Sequence, residues 1–269
     1  MPELPEVETT CRGIRPWLEG QTIISIDIRE PRLRWPVSDQ VLAACGQRVE
    51  RVRRRAKYII IEGSWGALLL HLGMSGSIRA SRENEALRKH EHFDINTDRV
   101  TLRYCDPRRF GSLHWSEGPA ERHALLASLG PEPLGNDFDG QYLHRLAHNR
   151  RLPVKSFIMD GRVVVGVGNI YASEALFMAG IHPNRAAGRI SLARYTVLAE
   201  AIRDVLRRAI QQGGTTLRDF SGTGGTPGYF AQDLLVYERN GLTCMQCSGT
   251  IRRKVIGQRS SYYCSSCQR

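Results

Sequence analysis

Two sets of residues in this chain could do chemistry. The first opens it: in MPELPEVETT, Pro2 and Glu3 stand ahead of Pro5, Glu6 and Glu8. The latter three fit a helix entry, since proline suits a first turn and acidic side chains suit the positive end of the helix dipole. Pro2 lies upstream of that turn. With Met1 removed it would be a secondary amine, and a terminal amine with a reference pKa of about 7.7–8.0 is partly unprotonated near neutrality. Such an amine can attack a carbonyl-like carbon and form an iminium, as Schiff-base enzymes do. Taken alone, the stretch leaves helix entry and nucleophile both open. The second set is Cys244-x2-Cys247 and Cys264-x2-Cys267, separated by sixteen residues. Each CxxC turn presents two thiolates to one tetrahedral ion, so the spacing predicts a single structural Zn2+ rather than a redox pair or disulfides. Four thiolates leave no open coordination position, which moves catalysis elsewhere. Cys11, Cys45 and Cys105 are scattered and read as small buried or half-buried side chains.

Three further stretches carry ligand-binding potential. VVVGVGNIYASE (163–174) lacks the third glycine and the βαβ context of a dinucleotide fingerprint. It fits a turn opening a helix, with Asn169 and backbone N–H groups able to hold a phosphate, or an ordinary glycine-rich helix entry. DPRRFG (106–111) puts two arginines and an aromatic on a turn. Either they insert into a nucleic acid, as wedges that unstack base steps do, or Phe110 folds back onto the core. HLGMSGS offers Met74 at a similar strand end, with His71 beside it as a hydrogen-bonded core histidine.

These residues need elements to hold them. The pattern predicts a helix over 5–19, with Val7, Ile14 and Leu18 at helical spacing and Gly20 beyond its end. From 22 to 115 the pattern is β: TIISIDIRE, with Ile24, Ile26 and Ile28 on one face, then KYIIIEG, GALLLHLGMSGSIRA, HEHFDIN and RVTLRYCD. Successive short strands suggest an antiparallel sandwich. LGPEPLG (129–135) breaks the pattern, and helices are expected at 119–128, 139–148, 171–179 and 191–212. Gly213 and Gly214 end the last of these, and a Gly/Thr/Ser-rich loop, GGTTLRDFSGTGGTPG, follows. The segment after residue 234 should hold the zinc site between two hairpin strands.

Composition adds a partner. The 269 residues carry 38 Lys+Arg against 27 Asp+Glu, a net charge of +11 that suits a polyanion, chiefly nucleic acid. Basic clusters at 51–57, 108–109, 150–155 and 252–254 are spread along the chain, so several elements would contribute to a basic surface. No segment has the apolar length to cross a bilayer, and the first residues lack the pattern of a signal peptide. A cytoplasmic protein with reduced thiols is expected.

PELPEVET, RRAKY (54–58), HLGMSGS (71–77), DPRRFG, LGPEPL, VVGVGNIYASE, PGYFAQ (227–232) and the four-cysteine finger follow one another over essentially the whole chain. In this combination and order the chain resembles formamidopyrimidine-DNA glycosylase, a family of bacterial base-excision repair enzymes. The resemblance implies an α+β multidomain fold: an N-terminal antiparallel β-sandwich (1–131), a helix-two-turn-helix domain (132–234) and a zinc-finger β-hairpin (235–269). It implies a bifunctional glycosylase and AP lyase that excises oxidised purines, 8-oxoguanine and formamidopyrimidines, and then cleaves the strand by β,δ-elimination. The partner would be damaged double-stranded DNA, with no membrane. The enzyme would be a monomer, associated with the nucleoid through DNA.

By the same resemblance, Pro2 attacks the anomeric carbon and Glu3 acts as general acid during ring opening. Lys57 and Arg259 assist the two eliminations, Arg259 as a phosphate clamp because arginine stays protonated. Met74, Arg108 and Phe110 fill the gap left by the extruded base, whose unpairing and unstacking cost a few kcal/mol. His90, Arg150, Lys155, Asn169 and Tyr237 lie near DNA, mostly as phosphate contacts. Glu6 is a second candidate carboxylate. Thr226 stands where many relatives carry lysine, so lesion preference is less firmly implied than the chemistry. Three rivals remain: an endonuclease VIII-like glycosylase for oxidised pyrimidines, a non-catalytic DNA-binding protein, and a tautomerase using its terminal proline. Leu4 with the Met74, Arg108 and Phe110 set points to the purine branch.

Overall fold

A computed structural model of the chain describes residues 2–81, 85–214 and 233–269. The Gly/Thr/Ser-rich loop from 215 on, including Thr226 and PGYFAQ, lies outside the described residues, as does Met1. The chain divides into two compact units, Met1–Ser128 with Ile210–Ala231 and Leu129–Ala209 with Gln232–Arg269.

The first unit begins with α1 (Leu4–Leu18), whose Val7, Cys11, Ile14 and Leu18 form one buried stripe. Eight strands follow: β1 (Ile23–Ile28), β2 (Arg51–Arg55), β3 (Tyr58–Gly63), β4 (Gly66–His71), β5 (Ser77–Ser81), β6 (Glu91–Thr97), β7 (Thr101–Cys105) and β8 (Ser112–Ser116). They form two antiparallel sheets, ordered β1-β6-β7-β5 and β2-β3-β4-β8. One sheet contributes Ile26, Phe93, Ile95, Leu102 and Tyr104 to a shared core, the other Ile59, Ile61, Leu68, Leu70 and Leu113. A short helix, α2 (Ala124–Ala127), closes the unit.

Two expectations need correction here. The register of β1 shifts between Ile23 and Ser25, so Ile23 and Ile26 point inward while Ile24 is 58% exposed. A β-bulge moves every later side chain by one face, which alternation alone does not reveal. Second, the run from Gly66 to Ala80 is two strands in different sheets, β4 and β5, joined by a turn at 72–76. Gly73 takes φ +64, and any Cβ there would collide with the backbone of Phe110 and Gly111. That glycine turns the chain and puts Met74 on the loop that follows the end of β4.

The second unit holds α3 (Gly140–Ala147), α4 (Val154–Ile158), α5 (Asn169–Met178), α6 (Leu192–Gln211) up to Ala209, and the hairpin β9 (Ile251–Ile256) and β10 (Arg259–Cys264). The five-residue α4 is absent from the pattern reading because it is too short for a period to show. Gly213 and Gly214, with φ +76 and +82, follow the end of α6. The hairpin runs between the two CxxC pairs; the zinc site does not lie between the strands. Gly257 and Gln258 make its tip with φ +55 and +62, the pair of left-handed residues that a two-residue turn requires. Among the described residues no helix is long and apolar enough to cross a membrane.

Candidate active site and DNA interface

At the start of α1, Glu3 is the N-cap. Its side chain accepts from the Glu6 amide, and the Glu6 carboxylate accepts from the Glu3 N–H at 2.8 Å. This reciprocal capping satisfies donors that a helix start otherwise leaves orphaned. Pro5 in the first turn has no N–H to satisfy. Pro2 is buried, Glu3 is 2% exposed and Glu6 is 0% exposed. The Pro2–Glu3 step is thus fixed against the fold. Gly214, at φ +82, passes over Glu6 so closely that a Cβ would lie 3.0 Å from Oε1. Cys11, one face further along the helix, is no nucleophile: burial pushes its thiol up to about 11.

Lys57 sits in the two-residue connection between β2 and β3, where Ala56 takes φ +55. Across the β3–β4 ladder Tyr58 pairs with His71, their rings 4.9 Å apart. Burial, then the charges of Lys57 and Arg34, push His71 down to about 4, so its ring is neutral at physiological pH. Gly73 N–H donates to its Nδ1 at 3.0 Å, which puts the ring proton on Nε2. His71 therefore presents a neutral donor within the field of Lys57. The sequence placed it correctly as a hydrogen-bonded histidine but gave no sign of this pairing, which depends on strand register.

Arg108 and Phe110 share the turn after β7. The Arg108 guanidinium lies 5.1 Å from the Phe110 ring centroid, and Phe110 is 43% exposed. Phe110 does not fold back into the core. The neighbouring Arg109 pairs with Glu30 at 3.1 Å, which separates the roles of two arginines that sequence leaves equivalent. Met74 is half-buried on the adjoining turn. His90, at φ +69, accepts the Asp106 N–H through its carbonyl at 3.0 Å, so it stands at the base of the same turn.

In the second unit, Asn169 opens α5. Lys155 is 1% exposed, and its ammonium donates to Asn169 Oδ1 at 2.6 Å, Ser260 O at 3.0 Å and Ser261 Oγ at 2.8 Å. A buried charge this well paired is a structural fastener. It ties the start of α5 to the strand that begins with Arg259. The sequence puts Lys155 near DNA; in this structure its ammonium joins Asn169 to β10. Glu174, 1% exposed, was not foreseen: its carboxylate accepts the amides of Leu235 (2.8 Å), Val236 (3.0 Å) and Tyr237 (2.8 Å). It pins Tyr237, whose ring meets Tyr262 edge-on at 5.1 Å. Arg150 and Arg259 are exposed.

The sulfur atoms of Cys244, Cys247, Cys264 and Cys267 all lie within 4.8 Å of one another, with Cys247 and Cys264 3.4 Å apart and Cys244 and Cys267 3.9 Å apart. A tetrahedral ion with Zn–S of about 2.3 Å needs sulfurs about 3.8 Å apart, so the four cysteines fit one zinc. Gln268 supports the knuckle: it accepts from Cys264 N–H and donates to Ile181 O, both at 2.9 Å.

Three family profiles match consecutive parts of the chain: the formamidopyrimidine-DNA glycosylase N-terminal domain over residues 1–113, the H2TH domain over 129–221 and a zinc finger found in FPG and IleRS over 241–269. The chain belongs to the formamidopyrimidine-DNA glycosylase family. Curated formamidopyrimidine-DNA glycosylases from Alcanivorax borkumensis and Stutzerimonas stutzeri are each 58% identical to it, over 100% of both chains. The crystal structure of MutM (Fpg) from Thermus thermophilus superposes with a TM-score of 0.90 at 36% identity, covering 99% of this chain and 98% of that one. Lactococcus lactis Fpg in complex with an abasic site containing DNA gives 0.91 at 30% identity, covering 99% of each chain. Family membership thus agrees with the antiparallel sheets of the first unit and with the zinc hairpin of the second.

Proposed function

We propose that this DNA glycosylase of base-excision repair uses Pro2 as its nucleophile, excises oxidised purines from damaged duplex DNA and then cleaves the strand. Pro2, freed of Met1, attacks the anomeric carbon; the damaged base leaves with the electron pair of the glycosidic bond. Glu3 protonates the ring oxygen as the sugar opens to an iminium. The iminium acidifies the adjacent sugar proton, and its loss expels one flanking phosphate; a second elimination expels the other. Lys57 serves the first elimination, and Arg259 clamps phosphate during the second. Met74, Arg108 and Phe110 occupy the gap in the stack. His90, Arg150, Lys155, Asn169 and Tyr237 lie along the DNA, mostly as phosphate contacts, and Lys155 also fastens Asn169 to β10. Zinc on Cys244, Cys247, Cys264 and Cys267 would hold the hairpin that carries Arg259, and no chemical step passes through it. We keep 1–131, 132–234 and 235–269 as the working division of the chain, and place the enzyme in the cytoplasm on nucleoid DNA.

One observation carries this reading: the buried Pro2–Glu3 step, locked by Glu6 where a replaceable terminus would fray. Borohydride trapping tests it. On a duplex with oxidised guanine, reduction should leave a covalent adduct mapping to Pro2 and absent in Pro2→Gly. Tight lesion binding without any adduct would reduce the protein to a DNA binder. A preference for oxidised thymine would instead move it to the pyrimidine branch.

A further inference from the structure

Asp106 heads the DPRRFG turn and is 0% exposed. A buried carboxylate survives only when hydrogen bonds replace its water. Here they come from both turns that carry the gap-filling side chains. Ser75, next to Met74, donates to Oδ1 at 2.6 Å. On the other turn, Gly111 N–H donates to Oδ2 at 2.8 Å and Arg108 N–H reaches Oδ1 at 3.3 Å, bracketing Phe110. Tyr104 O–H completes the set on Oδ2 at 3.1 Å. The backbone of Asp106 is held as well: its N–H donates to His90 O, and its carbonyl accepts from Arg109 N–H and from His92 Nε2 at 2.7 Å.

The packing leaves no slack around these bonds. A Cβ on Gly73 would strike Phe110 and Gly111, and one on Gly111 would strike the Tyr104 hydroxyl and lie 2.6 Å from His71 O. One on Gly76 would lie 2.6 Å from the same hydroxyl. Each turn is therefore a wall of the other.

We propose that Asp106 is a positioning residue that locks the Met74 turn and the Arg108–Phe110 turn into one rigid element, on which extrusion of the damaged base depends. This rests on the reading that Met74, Arg108 and Phe110 enter the gap in the stack. Filling a gap of fixed shape requires three side chains from two turns to arrive in one geometry, and a single shared carboxylate supplies it.

The test compares Asp106→Asn, Phe110→Ala and the double variant in single-turnover excision of oxidised guanine, with 2-aminopurine beside the lesion reporting extrusion. Asn fits the space but turns an NH2 group toward the Gly111 amide or toward Ser75. Asp106→Asn should slow extrusion and excision together by tenfold or more. In the Phe110→Ala background it should cost less than a further threefold, because the element it positions is already incomplete. Equal fold-losses in both backgrounds would overturn the proposal, since Asp106 would then act on the fold at large. Loss in Phe110→Ala but none in Asp106→Asn would overturn it while leaving the gap-filling reading intact. No loss of extrusion in Phe110→Ala would defeat that reading itself. If Asp106→Asn does not fold, Ser75→Ala, which removes one bond and keeps the charge, should show the same pattern at about threefold, and its absence would be equally decisive.

Discussion

His71 should make the stability of the first unit fall in mild acid. Its ring titrates at about 4 in the folded chain against an ordinary value of 6.5. The folded state therefore prefers the neutral ring. Its contribution is complete above pH 6.5 and is lost as pH falls from 6.5 toward 4, where unfolding lets the ring take a proton. The displacement corresponds to about 3 kcal/mol in full, at about 1.4 kcal/mol per tenfold change, and about 2 kcal/mol of it is lost by pH 5. The perturbation is His71→Asn, whose side-chain oxygen can still accept from Gly73 N–H but does not titrate. All four tryptophans, Trp17, Trp35, Trp65 and Trp115, lie in the first unit, so their fluorescence in urea reports that unit alone. Between pH 7.5 and 5.0 the wild type should lose about 2 kcal/mol more than His71→Asn. His114 and His123, also shifted down by burial, are present in both proteins, and only the repulsion between His114 and His71 differs between them. Equal losses would refute the assignment of a neutral, half-buried His71 in the field of Lys57.

Two other outcomes follow from the second unit. Glu174→Gln replaces one acceptor oxygen with a donor facing a backbone N–H. The charged bonds it weakens are worth about 1.5–3 kcal/mol each, so hydrogen exchange at Leu235, Val236 and Tyr237 should accelerate about 100-fold relative to α5; unchanged protection would show that the segment is held some other way. Chelating the zinc, or Cys247→Ser, should unfold the β9–β10 hairpin and abolish lesion-duplex binding while leaving the tryptophan-monitored urea midpoint within a few tenths molar. A collapse of that midpoint would mean the zinc module also stabilises the first unit.

The sequence by itself determined what is local. Helical spacing set α1 and α6, the Gly213–Gly214 pair marked the end of α6, and the two CxxC turns announced a zinc site whose sulfurs do converge. Pro2 and Glu3 stood out because their types are unusual for a terminus, and the motif order named the family. Contacts distant in sequence were not legible. The bulge in β1, the break of Gly66–Ala80 into strands of different sheets, the burial of Lys155 against Ser260 and Ser261, and the capture of the 235–237 amides by Glu174 all depend on which segments fold together. So does the division of labour between Arg108 and Arg109, decided by a glutamate on a separate loop. A side chain's type limits the bonds it can make, but its neighbours decide which are made. In this chain, buried carboxylates and one buried ammonium are satisfied by partners that only tertiary packing brings within reach.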